Sequence, residues 1–107
     1  MSMDAVFKAL ADATRRRLLD RLRARNGQTL NELCAGAEMT RQAVTKHLAV
    51  LESANLIAAQ KRGREKLHYL NPVPIHDIAV RWIGKYERTR LDALADIKTK
   101  LERNADD

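Results

Sequence analysis

The hydrophobic pattern in the middle of the chain changes from a helical to a strand-like period, and this change constrains the fold more than any other feature. Thr29 and Glu32 have the spacing of a capping box. In this motif each side chain accepts a hydrogen bond from the backbone amide of the other residue, at the first turn of a helix. This predicts a short helix that runs to about Ala37. After a brief turn, Thr40 can cap a second helix that runs to about Ala54.

The second of these helices has one apolar and one polar face. Val44, Leu48 and Leu51 recur at the spacing of a buried helical stripe. At 100° per residue, the side chains on the opposite face are Gln42, Thr45, Lys46 and Ala49. Such a face suits the major groove of DNA, but any solvated helix also presents one.

Two short strands are predicted next, over residues 56–61 and 66–70. Gly63 lies between them and supplies the positive φ that a tight hairpin turn needs, and Asn55 can end the preceding helix in the same backbone region. The hairpin is basic through Lys61, Arg62, Arg64 and Lys66. Those cations can bind phosphates, or they can simply protect an edge strand.

A helical period returns after Pro74 and lasts to about Arg103. This pattern makes an amphipathic helix of roughly 28 residues, which is too long for one small domain to cover. We therefore expect it to pack against a second copy of the chain.

The positive charge is concentrated in the first two thirds of the chain. The net charge of +6 divides into +3 for residues 1–37, +3 for residues 38–71 and zero for residues 72–107. This asymmetry favours a basic surface that faces a polyanion. Moderate basicity is common in small domains, so charge by itself does not decide the partner.

Composition excludes several classes of protein. A chain of 107 residues suits one domain, predicted over 1–107, and its single cysteine, Cys34, excludes an internal disulfide. No apolar run approaches 18 residues, so no membrane span is expected. The beginning of the chain lacks the basic and apolar regions of a secretory signal. We expect a cytoplasmic protein.

These elements together predict a mainly α fold with a small β-hairpin. A helix-turn-helix over about 29–54, a wing over about 56–71 and a C-terminal helix over about 74–103 make a winged helix-turn-helix. A helix fits the major groove, where each base pair presents a distinct set of donors, acceptors and methyl groups. The expected DNA-binding residues are Thr40, Arg41, Gln42, Thr45, Lys46, His47, Lys61, Arg62, Arg64 and Lys66.

The sequence resembles the ArsR-type winged-helix transcriptional repressors over nearly all of residues 5–71. Two small departures are Ala13, where that family usually has proline, and Asn55, where it usually has glycine. The matching stretches are Phe7-Lys8-Ala9-Leu10-Ala11-Asp12-Ala13-Thr14-Arg15, Leu30-Asn31-Glu32-Leu33, Thr40-Arg41-Gln42-Ala43-Val44-Thr45-Lys46-His47-Leu48-Ala49-Val50-Leu51 and Ala54-Asn55-Leu56-Ile57.

The resemblance implies a homodimer formed by the first and last helices, with one recognition helix in each subunit. It favours a repressor that binds double-stranded DNA at a partly palindromic operator. The side chains expected at the dimer interface are Val6, Phe7, Leu10, Ile78, Trp82, Ile83, Tyr86, Leu94, Ile97 and Leu101.

The metal sites of ArsR-type sensors are incomplete in this sequence. One family site uses a Cys-x-Cys pair, but here the matching residues are Cys34 and Gly36. The other uses ligands along the last helix, where this chain offers His76, Glu87 and Arg90, and an arginine does not ligate a cation. We expect no metal and no cofactor, and the sequence indicates no small-molecule effector.

The two remaining histidines have other expected roles. His47 flanks the recognition helix, where it either contacts a phosphate or packs against a neighbouring helix. His68 alternates with Leu67 and Tyr69 in the second strand and is expected at the surface.

Two alternatives to a plain DNA-binding repressor remain open at this point. One is a helical protein-interaction module, and the other is a repressor that responds to a metal or small molecule at an unrecognised site. An enzyme is not expected, because the sequence has no nucleophile paired with a base, no convergent acids and no Gly-rich phosphate loop.

Overall fold

The computed structural model describes the backbone of residues 3–106 and the side chains of residues 3–83 and 92–103. Backbone contacts divide the chain into two units, Met1–Ile75 and His76–Asp107. That residues 1–107 form a single domain remains a prediction from the sequence. In chain order the elements are α1 (Met3–Leu10), α2 (Ala13–Ala24), α3 (Leu30–Cys34), α4 (Arg41–Ser53), β1 (Ile57–Arg62), β2 (Glu65–Leu70) and α5 (Val73–Asp106).

Side-chain caps fix where the helices of the first unit begin. Thr29 accepts a hydrogen bond from the Glu32 amide at 3.2 Å, and the Glu32 carboxylate accepts one from the Thr29 amide, so both halves of the predicted capping box are present. Thr40 caps α4 by accepting from the Ala43 amide at 3.1 Å. The helix α3 ends at Cys34, three residues earlier than predicted, because the backbone becomes extended at the next residue.

The inner face of α4 lies at the centre of the first unit. This helix packs against α1, α2, α3 and β1. The largest fully buried side chains are Leu22, Leu33, Val44, Leu51 and Leu56. Burying such a side chain contributes about 1.5–3 kcal/mol relative to leaving it in water, so this cluster supplies much of the stability that holds α4 in place.

The placement of Val6 corrects one sequence-based expectation. It was expected at the dimer interface, but it is 4% exposed and belongs to the protomer's own core. Phe7, its neighbour on α1, is 43% exposed, and Leu10 is half-buried. A helix this short turns only one side inward, so adjacent positions differ sharply in exposure.

The wing is an antiparallel hairpin whose register pairs Ile57 with Leu70 at its root and Arg62 with Glu65 at its tip. Gly63 is the first residue of the two-residue turn and has φ +66°, as in the type II′ turns that suit the twist of a hairpin.

His68 is buried within the first unit, at 4% exposure, and not at the surface as the alternation of the strand predicted. Its imidazole Nδ1 lies 2.9 Å from the carbonyl oxygen of Gln28. A carbonyl only accepts, so Nδ1 carries the proton and donates. Gln28 also pairs with His68 through backbone hydrogen bonds, and this bridge covers the second edge of β2.

The long helix α5 exposes several large apolar side chains in the protomer. Leu94, Ile97 and Leu101 are 63%, 54% and 64% exposed, and Ile83 is 63% exposed. Tyr86, expected at the same interface, lies outside the described side chains. No helix in the described part of the chain is long and apolar enough to cross a membrane.

Candidate nucleic-acid interface

The outward face of α4 carries the side chains that the sequence singled out for base reading. Gln42, Thr45 and Lys46 are all exposed, while the opposite side of the helix is held in the core. The Thr45 hydroxyl donates to the carbonyl oxygen of Arg41 at 2.9 Å. This hydrogen bond uses the hydroxyl proton and leaves the acceptor lone pairs and the methyl group of this exposed side chain available. This arrangement can form polar and apolar contacts with base edges.

A side-chain contact joins the two helices of the helix-turn-helix. The guanidinium of Arg41, in the first turn of α4, donates to the side-chain oxygen of Asn31 on α3. A guanidinium has five N–H donors, so this contact leaves others for a phosphate or a guanine. The exposed Thr40 uses its hydroxyl oxygen as the helix cap, and this fixes its orientation beside Arg41.

His47 is half-buried and is held by a residue of α2. Its Nδ1 lies 3.3 Å from the Arg15 guanidinium. Because a guanidinium can only donate, Nδ1 accepts and the neutral ring carries its proton on Nε2. Arg15 also donates to the carbonyl oxygens of Lys8 and Ala9 at 3.0 and 2.8 Å. One guanidinium thus ties the end of α1 to α4.

The carboxylate of Asp12 completes this junction. The pKa of Asp12 is held below its ordinary value, foremost because the carboxylate accepts a hydrogen bond from the Arg15 amide at 3.0 Å. The positive charge of Arg15 acts in the same direction. Asp12 therefore stays ionised as the N-cap of α2.

The wing places a second group of cations beside α4. Lys61, Arg62 and Arg64 are exposed at its tip. Lys66 is also exposed, but its ammonium lies 3.2 Å from the carboxylate of Glu52 at the end of α4. A cleft of about 370 Å³ runs between α4 and the wing, and Glu52, Arg64 and Lys66 are among the residues that line it.

Sequence reasoning missed three residues that organise this surface: Asn31, Arg15 and Glu52. Each contacts a residue that is at least ten positions away in the chain, as the Arg15 to His47 separation of 32 positions shows. Local patterning predicts neighbours within a turn of helix or across a tight hairpin, so no signal in this sequence indicated these pairs.

The candidate metal ligands are not brought together in the described side chains. Among residues 3–83 and 92–103, no group of three or more His, Cys, Asp or Glu residues is close enough to hold a metal ion. Cys34 is a half-buried thiol on α3. Glu87 and Arg90 lie outside the described side chains.

Comparison with known proteins finds helix-turn-helix transcriptional regulators. A helix-turn-helix domain model matches residues 10–59. The uncharacterised HTH-type transcriptional regulator YuzN of Bacillus subtilis is 42% identical over 86 residues, which cover 75% of this chain and 94% of that protein. The transcriptional repressor SdpR of the same organism is 28% identical over 81 residues, covering 76% of this chain and 88% of SdpR.

Solved structures of other regulators share the fold. An ArsR-like transcriptional regulator from Rhodococcus sp. RHA1 superposes with a TM-score of 0.69 at 32% identity, covering 89% of this chain and 91% of that one. A homodimeric winged helix-turn-helix DNA-binding domain from Mycobacterium bovis superposes with a TM-score of 0.61 at 22% identity, covering 78% of each chain.

A capped helix-turn-helix followed by a basic hairpin defines a winged helix-turn-helix, a class of DNA-binding protein. Within that class, the chain belongs to the ArsR-type family of transcriptional regulators. It is a DNA-binding transcriptional regulator, and the fold class inferred from the sequence is confirmed.

Proposed function

We propose that this regulator is a homodimeric, cytoplasmic repressor that binds a partly palindromic operator. The observation that supports the proposal is the polar outward face of α4, which lies opposite the buried apolar face of the same helix. Two such helices, one from each subunit, would enter major grooves about 34–36 Å apart or a multiple of that distance. The relation to SdpR, whose name describes a repressor, favours repression over activation.

The exposed apolar positions of α5 support a dimer. Large apolar side chains that recur along one helix and are more than half exposed in the protomer favour an interface with another chain. The winged helix-turn-helix domain from Mycobacterium bovis is described as homodimeric. The proposed interface consists of Phe7, Leu10, Ile78, Trp82, Ile83, Tyr86, Leu94, Ile97 and Leu101.

Two kinds of contact would hold the duplex. Gln42 and Thr45 would read base edges, because an exposed amide and a threonine methyl match adenine and thymine in the major groove. The exposed cations would bind the phosphate backbone. The proposed phosphate-binding residues are Arg41, Lys46, Lys61, Arg62 and Arg64, with Thr40 and the His47 Nε2–H as neutral donors.

The first experiment is a binding titration of the purified protein with two duplexes at about 50 mM and about 200 mM salt. One duplex is the DNA upstream of its own gene, and the other has the same composition in scrambled order. We expect a preference of about a thousandfold for the first duplex at both salt concentrations. Equal binding to both, lost as salt rises, would contradict the proposal.

Replacing Gln42 with alanine is expected to relax discrimination at one base pair in each half-site. A bidentate contact from an amide to adenine contributes about 1–3 kcal/mol of discrimination against the wrong base. Affinity is measured for operators that carry each of the four base pairs at every position. Gln60→Ala is the matched control, since Gln60 is exposed on the wing strand β1. Equal changes in the two variants would argue against base reading by Gln42.

Lys46→Ala and Arg64→Ala are expected to weaken binding to operator and scrambled duplex alike. Removing one cation that neutralises a phosphate flattens the dependence of log K on log salt by about 0.9, and a dimer carries two copies of each cation. The salt series is measured for each variant and for Arg103→Ala, which removes an exposed charge from α5. A slope unchanged from the wild type would show that the residue does not neutralise a phosphate.

A further inference from the structure

Glu52 is the one acidic residue in α4, Arg41–Ser53, and it lies where the recognition helix meets the wing. One oxygen of its carboxylate is 3.2 Å from the Lys66 ammonium and 3.9 Å from the His68 Nε2. The same carboxylate lines the cleft that Arg41 and Arg64 also border. An acid is therefore held within the surface proposed to meet the phosphate backbone.

The packing of β2 builds this contact. His68 is buried and donates from Nδ1 to the Gln28 carbonyl, and backbone hydrogen bonds of 2.8 and 3.1 Å join the same two residues. That anchor fixes the face of β2 that looks toward α4. Lys66 precedes His68 by two residues, so its side chain leaves the strand on the same face and reaches Glu52.

The charges around Lys66 favour the same pairing. Lys61 lies directly across the hairpin from Lys66 in the strand register. Like charges opposite each other on one face of a sheet repel, and Glu52 offsets that repulsion on the side of Lys66. Because the pair is partly exposed, with side-chain exposures of 56% for Lys66 and 31% for Glu52, it contributes little to stability. Its main effect is to hold the ammonium at the recognition helix.

We propose that Glu52 is a positioning residue that withholds the Lys66 ammonium from the DNA backbone and so limits binding that is independent of sequence. The proposal rests on the proposed DNA-binding function. Phosphate neutralisation supplies nearly all non-specific affinity, so each cation kept away from a phosphate lowers the background on any DNA. Lys66 thereby differs from Lys61, Arg62 and Arg64, although all four are exposed cations of one hairpin.

The test is a salt series on the scrambled duplex with the wild type, Glu52→Gln, Lys66→Gln and the double variant. Glu52→Gln should steepen the slope of log K against log salt by about 0.9 per subunit. That corresponds to an affinity gain of about eightfold per subunit near 0.1 M salt. Lys66→Gln should leave the wild-type slope unchanged, and the double variant should return to it.

Glu102→Gln is the matched control, because Glu102 pairs with Lys98 at 4.0 Å on α5 and its replacement changes the net charge equally. Its slope should equal that of the wild type. Thermal melting by circular dichroism accompanies each variant. If Glu52→Gln fails to fold, Lys66→Gln still tests the proposal. A flattened salt dependence in Lys66→Gln would mean that Lys66 already binds a phosphate in the wild type.

Three results would overturn the inference. They are an unchanged or weaker slope in Glu52→Gln, a flattened slope in Lys66→Gln, and a double variant as steep as Glu52→Gln. The last result would mean that Glu52→Gln gains affinity because it removes the repulsion between the Glu52 carboxylate and DNA, and not because it releases Lys66. Failure of the proposed function has a different signature, which is the absence of operator preference in the wild type. A wild type that binds no DNA would overturn both.

Discussion

Replacing Leu51 with alanine is expected to lower the free energy of unfolding by about 2–5 kcal/mol. Leu51 is completely buried on the inner face of α4, which packs against three other helices and the first wing strand. Truncation would remove its apolar packing and leave a cavity that the surrounding elements cannot fully close. The measurement is equilibrium unfolding in urea at a fixed protein concentration, because the stability of a dimer depends on concentration.

Val50 provides the matched control on the same helix. It is the preceding residue, it is 40% exposed, and Val50→Ala also shortens an apolar side chain. We expect this variant to lower the free energy of unfolding by no more than about 0.5–1 kcal/mol. Equal losses at the two positions would show that α4 does not present its Leu51 side to the core. The orientation of the proposed DNA-reading face would then be wrong as well.

Replacing both Ile97 and Leu101 with glutamine is expected to produce a monomer. Both side chains are more than half exposed on α5 and lie one helical turn apart, so they can form a continuous contact with a second copy. The expected loss of operator affinity is about 10²-fold or more. A monomer binds only one half-site, whereas in a dimer the binding of one subunit holds the other close to the second half-site. Sedimentation and operator titration measure the two effects.

Thr99→Gln is the control for this double variant. Thr99 lies between the two positions in sequence but points to the opposite side of the helix, at 100° per residue. Like the two test substitutions, it introduces a glutamine without changing the net charge. It should stay dimeric and keep wild-type affinity. A double variant that remains a dimer would exclude this part of α5 from the proposed interface.

Several structural features were predictable from the sequence because they depend on a few neighbouring residues. The capping box at Thr29 and Glu32 forms with both of its hydrogen bonds. Asn55 adopts φ +61° at the end of α4, and Gly63 adopts φ +66° in the hairpin turn, both as predicted. Caps and turns are local, so residue type and spacing are enough to predict them.

The candidate site was predictable as a set of exposed side chains, although not as a set of contacts. Helical spacing placed Gln42, Thr45 and Lys46 opposite the buried stripe of α4, and all three are exposed. The same reasoning could not show that Lys66 is engaged by Glu52, fourteen residues earlier. A periodic pattern gives the direction of a side chain from its own element, whereas a contact also needs the position of another element.

His68 shows where the sequence stops determining the structure. Alternation along β2 correctly separates His68 from its neighbours Leu67 and Tyr69, but it does not say which face of the strand is covered. The bridge to Gln28 and the packing of α2 and α3 against β2 decide that the histidine is buried. The sequence by itself therefore determined the order of elements, their caps and the winged helix-turn-helix class. The tertiary structure decided which polar residues meet, because those contacts depend on how elements far apart in the chain pack together.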